Sequence, residues 1–228
     1  MYKRQILAIG IGDLDGSGKA SLVAVTDATA IQFALVDGVL VERRRIEVRP
    51  LENNEFLTII DLEFSPLKVP VTFDKTPFGL VGVRMRKSIG AHDGGGLIRN
   101  SEGAAGEKGT DGTGAPIGKG GVFWKPARWC DYSGPVTKTS SEGVTLFDHP
   151  GNPNHPTVFH VRDDGWMGAS LTFDAPRTLE PNTKLRLRYG LYAHAGSPPL
   201  AEIDARWKAF TELAVPATLE KPKPPKKP

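Results

Sequence analysis

From residue 39 to about residue 195 the chain is written as strand after strand, and prolines at 66, 70, 77, 126, 135, 150, 153, 156, 176 and 181 interrupt every run. Proline has no amide hydrogen for a ladder and a fixed φ, so each of these belongs in a turn or at a strand end. Between the interruptions apolar residues recur with period two. Arg45, Glu47 and Arg49 alternate with Ile46 and Val48, the signature of a half-exposed strand. Phe56, Thr58, Ile60, Leu62 and Phe64 share one face of the next run, and residues 78–85 form a mixed apolar stretch. Near the end, Leu185, Leu187, Tyr189 and Leu191 share a face, with Arg186, Arg188, Tyr192 and His194 on the other. Many short strands that each need to bury one face predict an all-β chain, a large antiparallel β-sandwich.

One helix is predicted, late in the chain. Ser197 is placed to cap it, Pro198 and Pro199 suit a first turn, and Leu200, Ile203, Trp207, Phe210 and Ala214 recur at helical spacing. That stripe is expected to pack on the sheet with Trp207 as its anchor. Residues 103–121 are rich in glycine and almost free of apolar side chains, which predicts a flexible surface loop. Its Ile117-Gly118-Lys119-Gly120 run lacks the spacing of a phosphate-binding loop. At the start, Ile6 to Ile11, a polar turn over Gly12 to Lys19, Leu22 to Val25 and Ala30 to Val36 read as successive strands, with Asp37-Gly38 as a hairpin turn. The expected organisation is therefore a strand-rich segment over 1–38, the sandwich over 39–215 and a Lys/Pro tail over 216–228.

Composition excludes several classes of function. The 228 residues are 39% hydrophobic and 24% charged, enough for a core. No apolar run nears the roughly 20 residues that span a bilayer, and Met1 to Gln5 leads into a strand rather than a signal peptide. The net charge of +3 owes much to Lys221, Lys223, Lys226 and Lys227 at the end, so the clustered basic face of a nucleic-acid binder is missing. The lone Cys130 rules out an internal disulfide; between Trp129 and Asp131 on a strand it reads as a small buried hydrophobe. The chain points to no cofactor or compartment.

Chemistry-bearing residues concentrate in three stretches: residues 90–102, residues 128–134 and the longest, residues 147–166. If Thr157 to Asp163 is a strand, Phe159 and Val161 face the core while His160 and Arg162 face away together. Three of the five histidines, His149, His155 and His160, fall in this stretch. Imidazoles titrate near neutrality and serve as acids or bases, and a guanidinium such as Arg162 clamps a carboxylate or polarises an oxygen. Candidate catalytic residues are thus His149, His155, His160 and Arg162, with Glu102 and Asp131 as the carboxylates. Arg99, Asn152, Trp166, Tyr192 and His194 are candidate ligand contacts, the aromatic ones (with Trp129) by stacking on a pyranose. The same three histidines, with Asp148 or Asp131, could alternatively ligate a metal. No G-x-S-x-G nucleophile elbow occurs.

Residues 6–38 resemble one blade of an FG-GAP or VCBS propeller repeat, in which Asp13 and Asp15 would stand as calcium ligands and Ser21 where an acid is usual. A second resemblance covers residues 40–212. Its carriers are Pro70 to Thr76 with Gly79, Gly95 to Gly103, Ala127 to Gly134, and the run from Gly143 through Asp148-His149-Pro150, Asn152 and His155-Pro156 to His160-Val161-Arg162. These residues resemble a bacterial domain of unknown function labelled methane oxygenase PmoA. The resemblance implies a β-sandwich of the galactose-mutarotase type and a place in carbohydrate metabolism. The expectation is a protein that binds or processes a sugar or oligosaccharide by His/carboxylate acid–base chemistry. The alternatives are a non-catalytic carbohydrate-binding or adhesion module, and a His-ligated metal-dependent oxygenase.

Overall fold

The computed structural model describes residues 24–26, 29–36, 39–111, 113–217 and 219, the first two segments by their backbone alone. The expected strands and turn before residue 24, with Asp13, Asp15 and Ser21, and the tail beyond residue 219 lie outside the described residues. The elements run β1 (Ala24–Thr26), β2 (Thr29–Val36), β3 (Leu40–Pro50), β4 (Phe56–Pro66), β5 (Val71–Phe73), β6 (Val81–Arg84), a single helical turn α1 (Ala91–Gly94) and β7 (Leu97–Asn100). Then follow β8 (Lys125–Pro126), β9 (Trp129–Pro135), β10 (Ser141–Asp148), β11 (Val158–Val161), β12 (Trp166–Ser170), β13 (Arg177–Leu179), β14 (Leu185–Ala195) and α2 (Leu200–Thr211).

Among the described residues every strand pairing is antiparallel. An eight-stranded sheet has the order β1-β2-β3-β4-β14-β10-β9-β7, a four-stranded sheet the order β6-β12-β11-β8, and β13 pairs with β5. The smaller sheet covers one face of the larger. Leu62, Phe64, Tyr132, Leu146, Leu187 and Tyr189 from the large sheet meet Val81, Phe159, Val161, Met167 and Ala169 from the small one in the main core. The opposite face of the large sheet is covered by α2, where Ile203 and Phe210 pack on Leu57, Ile59, Trp129, Phe147 and Tyr192. The fold is an antiparallel β-sandwich with a C-terminal helix as a third layer.

Two-sided cover is why alternation fades in the middle of the large sheet: residues 129–134 of β9 are all buried. It also explains what parity alone does not reach in β4. Leu62 and Phe64, with the partly buried Ile60, face the main core while Phe56 is 44% exposed, and Leu57 and Ile59 are buried under α2. β2 pairs with β3 from Thr29↔Glu47 to Val36↔Leu40, and the expected Asp37-Gly38 turn lies outside the described residues. Ser197 does not cap α2: Pro199 occupies that position, and the Ser197 hydroxyl meets Ser133 Oγ at 2.8 Å. Trp207 does anchor, donating from Nε1 to the Asp148 carbonyl at 2.9 Å.

The glycine-rich stretch differs from a free loop. Asn100 N–H donates to Ala104 O at 3.0 Å, Gly106 N–H to Ile98 O at 2.9 Å and Lys119 N–H to Gly103 O at 2.8 Å. Its backbone partners itself and β7, supplying by main-chain bonding the order that apolar side chains do not. Glycines at 103, 106, 109, 114, 118 and 120 take positive φ, conformations that a Cβ disfavours. No helix among the described residues is long and apolar enough to cross a membrane.

Candidate functional site

The outer face of the four-stranded sheet carries an aromatic surface centred on His160. On β11, Phe159 and Val161 enter the core and His160 points away, as parity requires. Its cross-strand partner is Gly168, whose partner in turn is Gly82. These glycines leave a bay that the Trp166 indole fills: a Cβ built on Gly82 would lie 2.4 Å from the ring, and one on Gly168 3.2 Å. Phe78 packs 4.8 Å from the His160 ring and 6.4 Å from Trp166, centroid to centroid. Phe123 and Trp124 stack at 4.4 Å, lie 5.4 and 6.4 Å from His160, and Trp124 reaches Phe173 at 5.6 Å.

Two features set this surface apart from a core. Phe78 is 50% exposed and Trp124 46%, unusual for aromatic side chains that have a core within reach. Trp124 also stands at φ 57°, anchored by its N–H to Phe159 O at 3.0 Å. A bulky residue in the left-handed region is a strained arrangement that concentrates at functional positions.

His160 is only 5% exposed, and its Nδ1 has no hydrogen-bond partner among the described residues; Trp166 Nε1 is likewise buried and unpartnered. Burial, and then the charge of Arg162, push the His160 pKa down against the opposing pull of Asp164. The ring is therefore neutral at pH 7. Arg162 and Arg84 share Asp164 at the rim, with Arg84 at 3.1 Å. The Arg162 hydrogen bond pushes the Asp164 carboxyl down to about 2. Arg84 also lies 5.7 Å over Trp166.

Asp131 sits on the other side of the large sheet and is inaccessible. Its carboxylate accepts His194 Nε2 at 2.8 Å, Thr145 Oγ1 at 2.9 Å and Arg99 Nη2 at 2.7 Å. Burial opposes its charge, but His194 and Arg99 together hold the carboxyl below the usual range. Tyr192 is fully buried against Phe147 and donates to Glu55 at 2.6 Å, and Trp129 is equally buried with Nε1 on Asp204 at 2.7 Å. Neither can stack on a sugar. Asp131 is thus fully engaged beneath α2 by Arg99, Thr145 and His194, Tyr192 is committed to Glu55, and Arg99 Nε is buried without a partner among the described residues. Cys130 is buried as expected, and desolvation raises its thiol pKa well above normal.

The segment 148–157 forms a third group. Asp148, fully buried, accepts His155 Nδ1 at 2.7 Å, Asn152 Nδ2 at 2.7 Å and the Thr157 N–H at 3.0 Å. Desolvation nonetheless leaves its pKa raised. His155 stacks parallel to Trp207 at 6.1 Å. Asn152 is committed at both ends, since its Oδ1 accepts the Arg188 N–H at 2.7 Å. His149 packs edge-on to Phe210 and accepts the Gly151 N–H at 3.0 Å. Burial and then Arg188 lower its pKa, with the Thr211 carbonyl acting weakly the other way.

The expected convergence of His149, His155, His160 and Arg162 on one hollow is therefore not what the fold builds. His160, Arg162 and Trp166 do come together on the outer face. His149 and His155 turn to α2 because the turns after β10 carry them around the end of the sandwich. Glu102 is exposed beside Arg128 at 3.8 Å, while Asp131 is enclosed, so the two carboxylates do not face each other across a cleft. Among the described residues no group of three or more His, Cys, Asp or Glu is arranged to hold a metal ion, so the tri-imidazole set is not assembled. Sequence reasoning missed Phe78, Phe123, Trp124 and Phe173. The adjacent Phe123-Trp124 pair, two large aromatics side by side after a glycine-rich stretch, was the available signal.

Fold and site together define an antiparallel β-sandwich with an exposed aromatic surface on its smaller sheet. The chain belongs to the family of unknown function DUF6807, whose model matches residues 31–208. No curated protein matches it. A solved structure provisionally described as a kojibiose phosphorylase from the human microbiome is similar, with a TM-score of 0.41 and 7% identity over 82% of this chain and 21% of that one. The chain thus spans about a fifth of that protein's length.

Proposed function

We propose that the protein is a carbohydrate-binding β-sandwich whose ligand, a mono- or oligosaccharide, lies on the outer face of the four-stranded sheet. The observation that carries this reading is Trp124, a half-exposed indole on left-handed backbone beside an almost buried histidine with an unpartnered ring nitrogen. A pyranose has an apolar face for aromatic rings and a rim of hydroxyls that donate and accept. Trp124 and Phe78 supply the rings. His160, neutral at pH 7, lies beneath the rings with its Nδ1 closed to solvent, and Arg162, Arg84 and Asp164 meet hydroxyls at the rim.

The test is a screen of mono- and oligosaccharides by calorimetry and tryptophan fluorescence, repeated on Phe78→Ala and Trp124→Ala. A sugar whose affinity falls about tenfold or more in each variant supports the reading, the size of effect of an aromatic anchor. Binding that ignores both substitutions, or no binding by any sugar, overturns it.

One observation favours a second reading, acid–base chemistry at a separate place beside α2 rather than on the aromatic face. The Asp148–His155 contact of 2.7 Å is the arrangement by which a carboxylate orients an imidazole as a proton carrier. Product analysis with any sugar that binds decides this: turnover lost in both His155→Gln and Asp148→Asn supports it, and an unaltered sugar leaves a binding module.

A further inference from the structure

A second site lies on the α2 side of the large sheet, away from the aromatic surface. A cavity of about 100 Å³ is lined by Asp61, Leu62, His149, Gly151, Asn152, Arg186, Leu187 and Arg188, and is roofed by Val215, Pro216 and Leu219 from the chain after α2. That roof is tied down by Arg188, whose Nη1 donates to the carbonyls of Leu213 at 3.0 Å and Ala214 at 3.1 Å.

The side-chain acceptors on its wall are already engaged. Asp61 Oδ1 accepts Arg188 Nε at 2.8 Å and Oδ2 accepts Arg45 at 3.1 Å. Asn152 Oδ1 accepts the Arg188 N–H. The uncommitted groups are donors. His149 accepts at Nδ1 from Gly151, and its buried Nε2 is turned to the Thr211 carbonyl outside good hydrogen-bond geometry, so it is not counted among them. Arg188 makes its side-chain bonds through Nε and Nη1, and Arg186 makes its own to Glu63 through Nε and Nη2. Each guanidinium therefore keeps an Nη amine without a protein acceptor among the described residues.

The surrounding charge has the matching sign. Arg45, Arg49, Lys184, Arg186 and Arg188 are distributed over only three carboxylates, Glu47, Asp61 and Glu63.

We propose that this cavity is a binding site for a small oxyanion: a carboxylate, sulfate or phosphate group. Its volume equals about three waters, room for such a group. The recognition is donor-only and charge-assisted, through Arg186 and Arg188, with the His149 ring on the cavity wall as a reporter. The oxyanion is either a free ion or the charged substituent of a larger ligand entering from the side of Arg186.

The test uses the whole chain, isotope-labelled, titrated with sodium phosphate, sodium sulfate and sodium glucuronate against sodium chloride at equal ionic strength. Saturable shifts of the His149 ring signals with an oxyanion and not with chloride are expected. Phosphate or sulfate alone identifies a free ion, and glucuronate the substituent of a sugar. Arg186→Gln, at a half-exposed side chain, is expected to weaken binding about tenfold or more, the effect of one charge-assisted hydrogen bond. Phe78→Ala keeps oxyanion binding unchanged, so failure of the carbohydrate reading and failure of this one are separable. Equal shifts with chloride, shifts that never saturate, or full affinity in Arg186→Gln overturn the proposal.

Discussion

Beneath α2, Asp131 gives both carboxylate oxygens to His194, Thr145 and Arg99, and no solvent reaches it. Across the sandwich, His160 is almost as deeply set, yet its Nδ1 goes unpaired and half-exposed aromatic rings stand around it. Both groups would be picked from sequence as chemistry-bearing residues, and burial does not separate them. Hydrogen-bond satisfaction does. A buried polar group with every partner in place holds a fold together, whereas an unpaired one next to exposed apolar surface costs stability and calls for an explanation.

The most severe way to break this contrast is Asp131→Ala. It leaves Arg99 and His194 facing an enclosed hole, and a loss of about 3–5 kcal/mol is expected in chemical denaturation. A loss below about 1 kcal/mol would mean that the network is not structural.

Acid titration of stability sharpens the point, because two buried aspartates shift in opposite directions. Asp131 in the fold lies below its ordinary 3.8, so its contribution is present above that pH and is lost as pH falls through the lowered value. Asp148 is raised, so its contribution is complete below 3.8 and is lost as pH rises through the raised value. Asp131→Asn should flatten the acid limb, and Asp148→Asn should remove the decline above it. Unfolding midpoints across pH 2–7 read both, and identical profiles would refute the assignment.

A smaller effect is expected on the aromatic side. Gly82→Ala puts a methyl where the Trp166 indole lies, at a cost of about 1–3 kcal/mol for overpacking or for displacement of the ring. A changed near-ultraviolet circular dichroism spectrum reports the movement, and an unaltered spectrum with full stability contradicts the stacking. Smallest of all is Trp124→Gly. Relief of the left-handed backbone offsets the lost ring contacts, so stability should remain within about 1 kcal/mol of the parent, while any sugar affinity is lost. A large destabilisation would make Trp124 a structural residue and the two regions alike.

How much of this was legible depends on what each signal reports. Alternation reports a strand with one wet face, so β4, β11 and β14 were found with their inward sets correct: Leu62 and Phe64, Phe159 and Val161, Leu185 to Leu191. It is silent where both faces are covered, which is why the second core of Leu57, Ile59 and Phe147 was missed. Helical spacing found Ile203, Trp207 and Phe210 but misjudged the cap, because Ser197 had a better partner in Ser133. Clustering along the chain was a poor guide to clustering in space. His155 and His160 are five residues apart, but the turn between them carries one to Trp207 and the other to Phe78. Phe78, Phe123 and Phe173 belong to three separate connections, and no local pattern brings those together.

The main-chain bonds between β7 and residues 104–106 have a consequence for how copies of this protein meet one another. β7 ends the eight-stranded sheet, and such a border normally displays a ladder of open donors and acceptors to any passing strand. Ala104 and Gly106 already occupy that ladder, so the glycine-rich excursion works as a built-in selvedge. It closes the β7 border to a strand from another copy, with scarcely any hydrophobic surface of its own.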